Sequence, residues 1–197
     1  RVRIIPRLYH ILTGRVSVSR FRDIQIEDLL GRKEVRLDQR DLERFLTGKA
    51  VLVTGAGGSI GAEPCRQAAR FSPRRLLLVE RCEAALFESD RKLRELWPHL
   101  QIEPLVADVT DAPRMHRILE AHRPEVVIHA AAHKHVPMME LHPDEAIKNN
   151  ALAVETLGRL AGEAGVEAFV LVSTDKAVRP SSIMGASKRL AELVCQE

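Results

Sequence analysis

The chain has 197 residues, 45% of them hydrophobic, which suits one core-forming domain with a smaller appendage. A net charge of +3, with the basic residues scattered, is too small to argue for nucleic acid. The cysteines (Cys65, Cys82 and Cys195) are odd in number and far apart, which argues against a disulfide framework or a cysteine zinc site and fits a reducing compartment.

Residues 1 to about 48 read as a helical lead-in, and 49–197 as the main domain. The lead-in has a basic start (Arg1, Arg3, Arg7, Arg15, Arg20 and Arg22), either a solvated surface or a segment close to an anionic membrane face. Short helical patterns over 26–30 and 41–46 are closed by Gly31 and Gly48. No apolar run approaches transmembrane length, and no signal peptide is visible. The chain begins with Arg, and its last helical pattern has no C-cap signal, so it is expected to be an excised piece of a longer protein.

From Ala50 the pattern alternates between strand and helix. Apolar, β-rich runs at 51–53, 76–79, 105–107, 126–128 and 168–172 suit strands buried on both faces of a parallel sheet. Amphipathic stretches at about 60–71, 83–96, 112–122 and 144–165, and one from near Met184, predict the crossover helices. The expected fold is α/β, a doubly wound parallel sheet of Rossmann type, with its C-terminal part missing.

Between the first strand and its helix lies Thr54-Gly55-Ala56-Gly57-Gly58-Ser59-Ile60-Gly61. In this strand–turn–helix setting the glycine spacing predicts a dinucleotide site. Gly55 allows the tight turn, Gly58 lets the backbone approach a pyrophosphate, and Gly61 lets helix and sheet pack closely, with Gly57, Ser59 and Ile60 completing the loop. Pro64 stands in the first turns of the helix, which is expected to survive it. At the end of the second strand, Glu80 would accept from ribose hydroxyls and favour NAD, whereas Arg81 would meet a 2′-phosphate and favour NADP; NAD is the preferred expectation. Asp108, followed by Val109, either meets the adenine amino group or is an ordinary helix cap. His133 and His135 form an H-x-H without a carboxylate or cysteine cluster, so no metal is expected.

The fifth strand runs into Ser173-Thr174-Asp175-Lys176, and Met184-Gly185-Ala186-Ser187-Lys188 opens a helix. Here the chain resembles the extended short-chain dehydrogenase/reductases, which place a hydroxyl residue at this strand end and Tyr-x-x-x-Lys on the next helix. Lys188 matches the Lys, and Met184 stands where the Tyr should be; the chain's single tyrosine is Tyr9. The strings from His129 to Pro137, Lys148-Asn149-Asn150 and Ser173 to Pro180 are similar to the CapD-like nucleotide-sugar 4,6-dehydratases of bacterial polysaccharide biosynthesis, whose larger, membrane-anchored members carry Met in place of the Tyr. The lead-in strings Gly14 to Ser19 and Ile24 to Gly31 belong to the same resemblance. Ala62 and Pro64 depart from it, where Ser and Leu are expected.

The resemblance implies conversion of UDP-N-acetylglucosamine to a 4-keto-6-deoxy sugar, with a nicotinamide cofactor recycled in each turnover. It implies Lys176 as the C5 base and Asp175 as the acid for the departing C6 hydroxyl. Burial or the nearby Lys188 should favour a neutral Lys176, while two lysines would oppose a protonated Asp175, unless the pair shares a proton. A surface turn is the plainer reading of that pair. Thr174 could orient O4, Lys188 would hold ribose hydroxyls, and Met184 fills space, leaving the O4 proton to another group or water. Ala130 and Ala131 are expected beside the cofactor, and Lys134 and His135 toward the sugar nucleotide. Asn150 is expected as a structural or active-site residue, against a plain helix-surface role. The partners implied are a UDP-sugar, a membrane anchoring the full-length parent at its cytoplasmic face and a second copy of the chain, with no nucleic acid. Two alternatives stand beside the dehydratase: a related epimerase, which needs no Asp-Lys pair, and a dinucleotide-binding module without turnover.

Overall fold

In a computed structural model, the structure describes residues 38–196 together with the pairs Arg3–Ile4 and Arg22–Asp23. The chain divides into two compact units, Arg1–Asp38 and Gln39–Glu197. In the first, β1 (Arg3–Ile4) pairs antiparallel with β2 (Arg22–Asp23). The sequence reads this segment as a helical lead-in without strand alternation; strands of two residues are too short to leave one. The helical pattern at 26–30 and the strings 14–19 and 24–31 lie outside the described residues.

The second unit opens with α1 (Gln39–Leu46), closed by Gly48 at φ 71°. A five-stranded parallel sheet follows, in the order β5-β4-β3-β6-β7. Its strands are β3 (Ala50–Thr54), β4 (Arg75–Glu80), β5 (Ile102–Val106), β6 (Val126–His129) and β7 (Ala168–Leu171). Helices α2 (Ala62–Ala69), α3 (Glu83–Leu96) and α4 (Ala112–His122) link the first four strands. This is the expected doubly wound fold.

The buried runs are uniform because both faces of the central strands are covered. Val51, Val53, Leu76 and Leu78 pack with Cys65, Ala68, Leu86 and Leu93 beneath α2 and α3, and Leu46 of α1 joins them. The alternate residues Leu52, Leu77, Val79 and Val127 face Met115, Ile118, Leu157 and Leu160. Burial pushes the Cys65 thiol up to about 12, so it behaves as a small apolar side chain. Strand order reverses between β3 and β6, and an open sheet of this kind forms its cleft at the carboxyl ends of the strands there.

Three elements differ from the sequence expectation. Strand β5 begins at Ile102, earlier than expected, because an edge strand alternates burial and tolerates Pro104. The helix expected over 144–165 is divided into α6 (Pro143–Ile147), a π-helical turn Lys148–Leu152 and α7 (Ala153–Glu163). A short α5 (Val136–Leu141), opened by Pro137, precedes it. The last helix is α8 (Ile183–Val194), capped by Ser182, whose Oγ accepts from the Gly185 N–H at 3.1 Å. Pro64 falls at the third position of α2, where a backbone N–H has no intrahelical partner to lose. Among the described residues no helix is long and apolar enough to cross a membrane.

Candidate active site

The turn after β3 is built by close backbone approach. Gly55 has φ 67°, and a Cβ there would lie 2.8 Å from the Ala131 backbone. A Cβ on Gly61 would lie 2.0 Å from the Gly55 carbonyl oxygen. Gly61 therefore serves closure of the turn on itself. Gly58 is exposed, meets only the Gly55 oxygen at 3.2 Å, and lines an open cleft of about 260 Å³ with Ser59 and Ile60. Gly57 is turned from this cleft: its Cβ would strike Ala85 of α3 at 2.7 Å, and its N–H donates to Glu80 Oε2 at 3.3 Å. An extended phosphorylated ligand fits the Gly58 side, where backbone lies bare at the start of a helix.

Glu80, Arg81, Asp108 and Val109 form one rim of the cleft. Glu80 also accepts from the Cys82 N–H at 3.0 Å, which fixes its carboxylate at the strand end. Arg81 pairs with Asp108 at 3.5 Å. Partial burial opposes the Asp108 charge, but bonds from the Thr110 N–H and hydroxyl, with Arg81 alongside, outweigh it and hold the carboxyl below its usual range. The helix cap is Asp111, which accepts from the Arg114 N–H at 2.9 Å, so capping of α4 does not fall to Asp108.

Opposite the turn, Ala130 and Ala131 extend β6. The Ala130 N–H donates to the Thr54 carbonyl at 3.2 Å, and that of Ala131 to Thr54 Oγ1 at 3.3 Å. Thr54 Oγ1 shares a 2.8 Å hydrogen bond with His129 Nδ1. His129 is fully buried and stacked on Phe169 at 6.0 Å, and burial pushes it down to about 3. It is neutral beneath the cleft. The sequence marks His129 only as the first residue of the His129–Pro137 string; a histidine closing an otherwise apolar strand is the signal that singles it out.

Asn150 sits in the π-helical turn, fully buried, with its amide saturated. Its Oδ1 accepts from the His133 N–H at 2.8 Å and from Asn149 Nδ2 at 3.1 Å. Its Nδ2 donates to the His133 carbonyl and to Ser187 Oγ, both at 3.0 Å. Ser187 Oγ donates in turn to the Met184 carbonyl at 2.8 Å. Asn150 is thus a hub joining the loop after β6 to α8, and its neighbour Asn149 lines the cleft instead. The helix-surface reading of Asn150 is excluded by its burial. The loop it holds presents Lys134, whose Nζ donates to Ser59 Oγ at 3.0 Å, and His135, both on the cleft. Burial, with Arg81 nearby, lowers His133.

A second cavity adjoins this cleft and shares Ile60, Ala130, Ala132, His133 and Lys134 with it. Ser173, Thr174, Lys176, Met184 and Lys188 also line it. Asp175 and Lys176 form a 3₁₀ turn, with Lys176 Nζ 3.5 Å from Asp175 Oδ1 and Thr174 Oγ1 donating to the same oxygen at 3.0 Å. The burial expected at Lys176 is absent: its side chain is 52% exposed and that of Asp175 70%, because the turn stands on the surface side of the cavity. Burial falls on Lys188, 4% exposed, which it holds below the usual lysine range against the opposing pull of Cys195 and Glu192. Met184 is 3% exposed and packs on Met139 and Ala146. Ser173 donates to Glu192 Oε1 at 2.5 Å. A Cβ on Gly185 would lie 2.4 Å from the Lys176 carbonyl, so α8 seats directly on the 3₁₀ turn, a contact the sequence did not announce. Among the described residues no cluster of three or more His, Cys, Asp or Glu is placed to hold a metal ion.

A family described as "Polysaccharide biosynthesis protein" matches residues 51–197. Over 193 residues the chain is 43% identical to the capsular polysaccharide biosynthesis protein CapD of Staphylococcus aureus, covering 98% of this chain and 32% of that protein. Over 145 residues it is 32% identical to a UDP-N-acetylglucosamine 4,6-dehydratase (inverting) of Campylobacter jejuni, covering 73% of this chain and 42% of that one. Among solved structures, Pen from Bacillus thuringiensis superimposes with a TM-score of 0.69 at 27% identity, over 76% of this chain and 46% of that one. The chain thus spans about a third of the CapD relative's length.

Proposed function

The chain belongs to the polysaccharide biosynthesis protein family, and on that premise we propose that it forms the cofactor site and reacting centre of a nucleotide-sugar 4,6-dehydratase. The observation that carries this reading is the continuity of the two cavities: the one holding Thr174, Lys176, Met184 and Lys188 shares a wall with the cleft over the glycine turn. A sugar placed there lies beside any dinucleotide bound across the strand-order reversal.

The bare backbone at Gly58, the exposed Ser59 and the Lys134 ammonium would hold a pyrophosphate, and the fixed Glu80 carboxylate would accept from ribose hydroxyls, which favours NAD. When bound, the nicotinamide supplies a reversible hydride acceptor for sugar C4 and donor to C6. Lys176 removes the C5 proton, which the adjacent 4-ketone acidifies, and Asp175 protonates the departing C6 hydroxyl. Their contact lets one proton serve the pair. Thr174 holds O4 at the cavity mouth. Asn150 orients the loop that carries Lys134 and His135 toward the nucleotide. UDP-N-acetylglucosamine is the proposed substrate, supported by the named relative that acts on it.

The test is incubation of the full-length protein with UDP-N-acetylglucosamine in heavy water, followed by mass spectrometry. The expected product has lost water and gained deuterium at C5. A product isomeric with the substrate would identify an epimerase, and an unchanged substrate would remove both readings.

A further inference from the structure

Met184 cannot move a proton, yet oxidation at C4 releases the proton of the C4 hydroxyl. That requirement is common to the dehydratase and the epimerase. The cavity itself offers a group to take it. Lys188 lies one helical turn beyond Met184 on the same face of α8, and both line the cavity with Thr174. Its Nζ donates to the Val172 carbonyl at 2.8 Å. Among the described residues it forms no ion pair, and the nearest carboxylate on its own helix, Glu192, is held by Ser173 and Arg189.

We propose that Lys188 is the catalytic base that accepts the C4 hydroxyl proton, the task Met184 leaves open; this rests on the C4 oxidation proposed above. A neutral amine gives one N–H to Val172 and keeps a lone pair for the substrate. A buried ammonium without a carboxylate partner is costly, so the site favours the amine. The groups facing it are few. His129 of β6 is buried and neutral, Glu192 lies on α8 and Cys195 at its C-terminal cap, and His133, Lys134 and Lys176 stand around the cavity. The lowered lysine pKa described above agrees with this geometry.

The step balances. The O4–H bond breaks as an N–H bond forms on Nζ, the C4–H electron pair leaves as hydride, and the C4=O bond forms. In a dehydratase the ketone persists, so this proton does not return to O4. The C5 proton goes to Lys176, whose half-exposed ammonium exchanges it with solvent, and Lys176 returns one proton to C5 as hydride reaches C6, while Asp175 gives one proton to the leaving hydroxyl. Each turnover therefore adds a proton to Lys188 and removes one from Asp175. Proton transfer between them through solvent restores both, and the sugar has lost one water.

In the full-length protein with NAD and UDP-N-acetylglucosamine, Lys188→Arg keeps the charge but not a removable proton. Compared at equal dinucleotide occupancy, it should lose C4 oxidation by at least about a hundredfold. Lys188→Ala should regain oxidation on addition of methylamine or ethylamine, in proportion to the free-base form. A second readout needs no turnover: the ε-methylene carbon signal of Lys188, assigned by its loss in Lys188→Arg, should titrate at lower pH than the other lysines. Retained oxidation in Lys188→Arg, rescue that ignores amine protonation, or titration of Lys188 with the other lysines would each overturn the proposal. In all three the wild type still forms the keto sugar, so the functional reading stands; a wild type that forms neither reduced nicotinamide nor keto sugar removes that reading first, and this proposal with it.

Discussion

A methyl group added at Gly61 would sit 2.0 Å from the Gly55 carbonyl oxygen, so Gly61→Ala cannot be absorbed by moving a side chain. Gly61→Ala should destabilise the chain by about 1–3 kcal/mol and weaken dinucleotide binding at least tenfold, measured by urea titration and fluorescence. Gly158, inside α7, has no atom within 4 Å of its would-be Cβ, and Gly158→Ala should instead add about 0.5–1 kcal/mol without changing binding. His129 gives a pH signature. Its pKa is depressed to about 3 in the fold, against about 6.5 in an unfolded chain, so the unfolded state binds more protons between those values. The stability due to neutral His129 is complete above about pH 6.5 and falls by about 1.4 kcal/mol per unit below it. His129→Gln, which offers Thr54 a partner without titrating, should flatten that decline in melts between pH 7 and 4. The glycine spacing was legible because each close approach there is made within a few residues. The burial of Lys188 and the exposure of Lys176 were not, since both depend on how α8 and the strand-end turn meet in space.

Among the elements, the π-helical turn and its Asn150 hub join three segments that are 17 and 37 residues apart in sequence. Removing the amide takes away the part-buried bonds to the His133 N–H and carbonyl and the buried bond to Ser187. Asn150→Ala should therefore cost about 1–3 kcal/mol. Asn150→Asp should cost nearly as much, because a carboxylate cannot donate to the His133 carbonyl. Both are checked by denaturant unfolding of variant and parent. The central strands were legible from sequence because burial on two faces leaves uninterrupted apolar runs. The edge strand β5 was misplaced because its edge position leaves Glu103 half-buried and Pro104 exposed, which breaks the apolar run. The division of the helix over 143–163 was invisible because the apolar spacing runs on through Lys148–Leu152, while the side-chain partners of Asn150 lie 17 and 37 residues away.

For the molecule as a whole, the cleft lies where strand order reverses, and ligand binding there couples to folding of the sheet. Saturating dinucleotide should raise the melting temperature, with about 2.7 kcal/mol gained at a ligand concentration one hundred times Kd. NAD should give the larger shift and NADP the smaller, because the Glu80 carboxylate is fixed at the rim while Arg81 is engaged by Asp108. Glu80→Ala should narrow the difference, read by differential scanning fluorimetry with each cofactor. The π-helical turn has a further consequence for the chain's evolution. A turn of this kind holds one residue more than an α-helical one and so shifts the phase of everything before it by about 100° relative to everything after. That offset lets Ala146 face the Met184 cluster while Leu157 and Leu160 face the sheet. Deleting any single residue between 148 and 152 would rotate one of these faces out of place, whereas insertions at the exposed Gly165 loop would leave both in phase. Length changes between related chains should therefore accumulate around residue 165 and be absent from 148–152.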